Sequence, residues 1–276
     1  MAPQAFPEPA GEPAVTVAPQ DEFAAHLGNP NFVLSLARGL RVIEAFDGAG
    51  DGATVGELSQ RTGLSRASVR RILVTLEMLG YAESTGRAFR LKTRVMRLSG
   101  SYLSSNSLAT MAQAVMDQVT QVVEESSSVS VLDNDEIVFL ARSTAKRVLS
   151  TRLAVGSRLP AYCTSMGRVL LAGLTDQELA GYFGRVKPQP LTPKTITDRK
   201  LLTAIIKQVR EDGFALLDEE LELGLRSIAV PIIGAAGRTV AAMNIGVHAS
   251  RVSTAEMMHR FLPVLREQSR TLGRLL

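Results

Sequence analysis

Cysteine is nearly missing from this sequence, and the shortage excludes several chemistries at once. Cys163 is the single cysteine in 276 residues. No intramolecular disulfide and no cysteine-cluster metal site can therefore form. The three histidines, His26, His248 and His259, lie too far apart for a metal-ligand spacing, so no metal or cofactor is expected. Long hydrophobic runs are scarce too. The longest, Ile228 to Val247, is interrupted by Pro231, Arg238, Asn244 and three glycines, and it fails as a membrane span. The N-terminus lacks the basic start and apolar core of a secretory signal. The expectation is a reduced, cytoplasmic protein with no membrane partner. Excess charge is small as well: 31 Lys+Arg against 27 Asp+Glu give +4, which alone names no polyanion.

What is present becomes informative when it is divided along the chain. The length fits about two domains of ~100–200 residues. Residues 1–30 carry Glu8, Glu12, Asp21 and Glu22 and no Lys or Arg, among Pro3, Pro7, Pro9, Pro13, Pro19 and Pro30. They read as a disordered, Pro-rich arm. Between Arg66 and Arg97, by contrast, eight basic residues face only Glu77 and Glu83. That concentration is what a polyanion rewards.

The basic stretch lies on a recognisable pattern. Phe32, Leu36, Leu40, Ile43 and Phe46 form one apolar helical stripe, stopped by Asp47-Gly48-Ala49-Gly50. Thr54 then caps a short helix that Gly63 ends. Ser65 caps a third helix, whose Val69, Ile72, Leu73, Leu76 and Leu79 share a face, and Gly80 closes it. Two helices crossing near a right angle need positive φ in the turn and a small residue at the crossing. Gly63 and Ser59 fill those places, with Leu58, Leu64, Val69 and Ile72 inward. The opposite face of the third helix carries Ala67, Arg70, Arg71 and Val74, with Arg66 and Ser68 in its first turn. Such a face offers guanine donors and small groups for thymine methyls, and its N-terminal amides suit phosphate. Tyr81 to Leu91 reads as strand, Thr85-Gly86 turn and strand, a wing flanked by Arg87 and Arg90, with Lys92 and Arg94 continuing the basic run. Residues 31–92 are thus expected to be a winged helix-turn-helix domain bound to double-stranded DNA. Met96, Leu98 and Leu103 predict a linker helix over 93–105.

Residues 106–276 read as mixed α/β, which makes the whole chain α+β. Leu108, Met111, Val115, Val119 and Val122 predict an amphipathic helix. Val129–Leu132 and Ile137–Ala141 form a hairpin, and Arg147–Val155 a further strand. Helices follow around residues 166–174, 176–183 and 198–211. The strands Ile228–Ile233 and Thr239–Val247 come next, and Ser253 with Glu256 makes a capping box for a last helix.

Several stretches resemble one family, the IclR-type transcriptional regulators. They are Leu36-Ala37-Arg38-Gly39-Leu40, Leu153 through Tyr162, Thr164 through Ala172, Asp218-Glu219-Glu220, and Leu223 through Pro231. The resemblance covers residues 32–276. It implies a GAF-like effector-binding domain, a linker helix, dimers or tetramers, and RNA polymerase as a further candidate partner. Arg158-Leu159-Pro160-Ala161-Tyr162 is most similar to the branch responding to protocatechuate, 4-hydroxybenzoate or β-ketoadipate. The family's effector site would fall here on Ala161, Tyr162, Ser165, Met166, Ser227, Asn244 and Gly246. Where glyoxylate- or pyruvate-type members carry hydroxyls on the last strand, this chain has Asn244 and Gly246, and Leu217 stands at an acidic position. A roomier, more apolar pocket is expected. Arg142 and Arg152 are the cations expected to clamp the effector's carboxylate.

An enzyme is the alternative. Cys163, Thr164 and Ser165 invite a nucleophile, yet a nucleophile needs an oriented base, and His248 and His259 sit in no partner motif. No GxSxG, P-loop or dinucleotide fingerprint occurs. A DNA-binding protein without an effector is a third reading, which the size of the second region disfavours.

Overall fold

The computed structural model describes residues 23–98, 100, 107–145 and 153–276. The chain divides into two compact units, with the break at residues 101/102.

The first unit is built on α1 (Leu34–Glu44), β1 (Ala53–Thr54), α2 (Val55–Thr62), α3 (Arg66–Met78), β2 (Ala82–Thr85) and β3 (Ala88–Leu91). Local chemistry fixes each boundary. The Thr54 side chain accepts from Glu57 N while the Glu57 carboxylate accepts from Thr54 N at 2.7 Å, a full capping box on α2. Gly63 ends that helix at φ 70°, a conformation that costs an L side chain about 1–2 kcal/mol. At the crossing, Ser59 Oγ donates to the Leu64 carbonyl at 2.7 Å. Ser65 caps α3. Strand order β1-β3-β2 closes a small antiparallel sheet beside the helices. Val42, Leu58, Val69, Leu73, Leu76, Ala82 and Phe89 form the core.

Part of the core expected in this unit is not found. Leu36, Leu40 and Leu79, expected inward, are 60%, 47% and 51% exposed. Ile43 and Phe46 of the first stripe do join the core, with Val42 beside them. The end of the arm also departs from disorder. Ala24–His26 make a 3-10 turn, Arg41 lies over the Phe23 ring and His26 packs on Phe32. Residues 1–22 lie outside the described residues. Of the expected linker helix, residues 96–98 and 100 are helical, and 99 and 101–106 fall outside.

The second unit is a six-stranded antiparallel sheet in the order β6-β5-β4-β9-β8-β7. Its strands are β4 (Ser126–Asp133), β5 (Glu136–Ser143), β6 (Arg158–Pro160), β7 (Ala215–Asp218), β8 (Leu225–Ile233) and β9 (Thr239–His248). One face packs against α4 (Ser107–Val123) and the C-terminal helix, which runs through α8 (Thr254–Glu256), a π turn at Met257–Phe261 and α9 (Leu262–Gly273). The other face packs against α5 (Ser165–Ala172), α6 (Asp176–Arg185) and α7 (Arg199–Asp212). Period-2 alternation sorts the serines of β4 between these layers. Ser127 Oγ donates to the Met116 carbonyl of α4 at 3.0 Å, while Ser130 Oγ donates to Met166 Sδ of α5 at 3.2 Å.

Of the strand expected over Arg147–Val155, residues 147–152 lie outside the described residues, and Leu153 to Val155 are coil and turn. The strand at this edge of the described sheet is β6. Ser253 caps the last helix through Glu256 N at 3.1 Å, but the Glu256 carboxylate pairs with Arg260, so the expected box is half made. Val122, placed on the inner face of its helix, is 68% exposed, and Val123 is buried in its stead.

Candidate DNA interface and candidate effector site

Burial of Val69, Leu73 and Leu76 orients α3 and leaves Arg66, Ala67, Arg70 and Arg71 exposed, with Ser68 and Val74 half-buried. The two central arginines diverge. Arg71 lines a groove between α3 and α1, beside Ser68, Thr75 and Arg38, while Arg70 stands outside it. Two predicted contacts have their hydroxyls committed to helix caps: Thr54 to Glu57, and Ser65 to Ser68.

In the wing, Glu83 and Arg90 sit directly opposite in register. The Glu83 carboxylate forms an ion pair with Arg90 Nε and lies 3.7 Å from Lys92 Nζ. Chiefly through the Arg90 hydrogen bond, the Glu83 carboxyl is held below its usual range. Arg90, read from the sequence as flanking the wing turn, and Lys92, read as continuing the basic run, therefore carry a counter-charge. Arg94 lies over the Tyr81 ring, 5.1 Å from its centroid. Arg87 is exposed at the wing turn.

The second site is a cleft between the sheet and the N-terminus of α5. Register builds its floor. Arg142 on β5, Ser128 on β4 and Asn244 on β9 form one cross-strand row. Ser126, Gly246, Ser227 and Leu217 form the row beside it. Thr164, Ser165 and Met166 overhang these rows, and Ile137, Phe139, Leu153, Leu159, Leu221 and Leu225 supply apolar walls. The cleft is thus mixed in character, with hydroxyls from β4 making up for those that β9 lacks. The sequence reading missed Ser126 and Ser128, although alternation within Ser126-Ser127-Ser128-Val129-Ser130 is the signal that would have placed them.

Polar groups in this cleft are incompletely matched. Ser165 Oγ and Asn244 Oδ1 are buried without a hydrogen-bond partner among the described residues, which carries a desolvation cost of about 1–3 kcal/mol each. Burial lowers the Arg142 pKa. The only contact of its guanidinium among the described residues is a long one, Nε to Thr144 Oγ1 at 3.4 Å. Its backbone is pegged to α4 through Gln113, whose Nε2 donates to the Arg142 carbonyl at 3.1 Å.

Two predicted effector residues are elsewhere. Tyr162 points away: its hydroxyl donates to the Gln189 carbonyl at 2.9 Å and accepts from Gln189 N at 3.0 Å. Ala161 is fully buried against Gly167, where an added Cβ would meet the Ala161 carbonyl oxygen at 2.1 Å. Both brace the loop before α5 rather than line the cleft. Arg152 lies outside the described residues. Another feature unread in the sequence is the buried pair Arg168–Glu220. Arg168 Nη2 donates to Glu220 Oε2 at 2.6 Å, and Ile196 N donates to the same oxygen at 3.2 Å. The pair ties α5 to the loop after β7 and puts Glu220 in the cleft wall.

Cys163 also lines the cleft, but burial pushes its thiol up to about 12, so it is neutral at physiological pH. Among the described residues no group of three His, Cys, Asp or Glu side chains is placed to hold a metal ion. No helix among them is long and apolar enough to cross a membrane.

Comparison with known proteins joins the two sites. The IclR helix-turn-helix model matches residues 35–86, and the model of the IclR C-terminal domain of bacterial transcriptional regulators matches residues 100–274. The Pca regulon regulatory protein of Pseudomonas putida is 46% identical over 261 residues, 94% of this chain and 90% of that protein. A crystal structure of a transcriptional regulator from Rhodococcus sp. RHA1 is 47% identical with a TM-score of 0.77, covering 88% of this chain and 97% of the other. The inducer-binding domain of the PobR transcription factor from Acinetobacter, a double mutant in complex with 3-hydroxybenzoic acid, is 34% identical with a TM-score of 0.59. It covers 62% of this chain and all of that domain (100%). These relatives are regulators of transcription rather than enzymes. With its reading head and its cleft-bearing domain both matched, the chain belongs to the IclR family of transcriptional regulators.

Proposed function

We propose that this regulator binds its operator through α3 and the wing, and that a small organic acid of aromatic catabolism controls its output. Protocatechuate, 4-hydroxybenzoate and β-ketoadipate are the acids to test. The observation that carries this reading is the state of Arg142: a partly desolvated cation with no acidic partner among the described residues, in the cleft that also holds Ser165 Oγ and Asn244 Oδ1. A carboxylate on Arg142 would also accept from Ser165 Oγ, and a hydroxyl on the effector would donate to Asn244 Oδ1, which satisfies all three groups. The first amides of α5 add positive potential at the same end. The apolar walls suit a carbon skeleton the size of a benzene ring, in keeping with the 3-hydroxybenzoic acid bound by the PobR domain.

On the DNA side, Arg70, Arg66 and Ala67 read bases, with Arg71, Ser68 and Val74 at the margin. Arg87 and Arg94 contact phosphate. The regulator acts in the cytoplasm as a dimer or tetramer on an operator with two-fold character, with RNA polymerase as a candidate partner. Thermal unfolding with each acid tests the effector half. One of the three should raise the melting temperature, and Arg142→Gln should remove that rise. An equal rise in wild type and Arg142→Gln would show that Arg142 does not hold the carboxylate.

A further inference from the structure

The wing carries a built-in opposition of charge. Three basic residues lie along it: Arg87 in the turn, Arg90 on β3 and Lys92 just after β3. Glu83 engages two of them, pairing with Arg90 directly across the ladder and approaching Lys92. The alternation of the hairpin sends Ala82 and Phe89 into the core and leaves Glu83 and Arg90 on the other face. Glu83 has no buried role to explain it: its side chain is 32% exposed and its two partners are 60% and 47% exposed. A surface ion pair of this kind contributes little to stability. Its effect on a polyanion is larger, because it neutralises cations that would otherwise release counterions from phosphate.

We propose that Glu83 sets the affinity and salt dependence of DNA binding through Arg90 and Lys92. By holding them in ion pairs, it limits the sequence-independent grip of the wing. Phosphate contacts position a protein without carrying sequence information. Restraining them therefore lowers affinity for every DNA by about the same factor and flattens its salt dependence. The inference rests on the wing lying along DNA, as proposed above.

The test compares wild type, Glu83→Gln and the double variant Glu83→Gln/Arg90→Gln by fluorescence anisotropy over a salt series. Two duplexes serve as probes: one selected by the protein from a randomised pool, and its scrambled counterpart. For Glu83→Gln, the salt slope on the scrambled duplex should steepen by about 0.9 for each released cation. Affinity should rise by a similar factor on both duplexes, and the double variant should reverse much of that gain. Melting temperatures should stay together, which separates this effect from a structural one. An unchanged slope, or a gain confined to one duplex, overturns the role of Glu83. Arg87→Ala decides separately whether the wing touches DNA: if that variant leaves the wild-type slope unchanged, the wing reading itself fails.

Discussion

Arg142 and Glu220 put opposite charges in the wall of one cleft, and their circumstances differ. Glu220 is answered by Arg168 and by a backbone amide, both within hydrogen-bond distance, whereas Arg142 has no such acidic partner among the described residues. The buried pair is a structural commitment. Removing one member leaves a charge without its partner at sites only 3% and 7% exposed. Arg168→Met should therefore cost about 3–5 kcal/mol in urea unfolding. The double variant Arg168→Met/Glu220→Leu should recover a large part of that loss. If the two single variants each cost less than the double, the pair is not what ties α5 to the loop after β7. Single residues were legible in the sequence where the family resemblance named them, and Ser165, Met166, Ser227, Asn244 and Gly246 line the cleft, as does Arg142, chosen as a cation on a strand. Tyr162 was misplaced because a motif position does not say which way a side chain turns. Arg168–Glu220 stayed hidden because its partners are 52 residues apart and no periodicity links them.

Elements were read most reliably where a cap and a period agreed, as in α2 and α3. Their first residues follow Thr54 and Ser65, each of which caps the helix through its own hydroxyl. Short strands were harder. β7, Ala215–Asp218, is four residues long with too little alternation to stand out, and it was not foreseen. Most of the strand read over Arg147–Val155 lies outside the described residues, and the strand pairing described at that edge is made by Arg158–Pro160, which was not foreseen. Close packing at α5 yields the sharpest prediction at this scale. Gly167 lies so near Ala161 that a methyl group would displace backbone, so Gly167→Ala should lose more than the usual overpacking cost of about 1–3 kcal/mol. Gly184, on α6 with no atom within 4 Å of an added Cβ, should instead gain about 0.5–1 kcal/mol as alanine. Melting temperatures should move in opposite directions for the two variants. A stable Gly167→Ala protein would mean that the loop from Ala161 to Thr164 yields easily and does not brace the cleft.

At the scale of the whole molecule, a nearly balanced charge conceals a division of labour. The basic run from Arg66 to Arg97 lies on one unit, and the polar cleft lies on the other. Within the reading head, Arg70→Ala should cost about 1–3 kcal/mol on the selected duplex and relax its sequence preference. The same change on scrambled DNA should have a smaller effect. Equal losses on both would make Arg70 a phosphate contact.

The central claim is that an acid bound at Arg142 governs what the DNA-binding unit does. Transcription in vitro from a template bearing the operator tests it most directly, with each of the three acids present or absent. For wild type, one acid should change transcript output several-fold in either direction, while Arg142→Gln gives the same output with and without it. Wild-type output indifferent to all three acids, or an Arg142→Gln protein that responds as wild type does, would contradict the account.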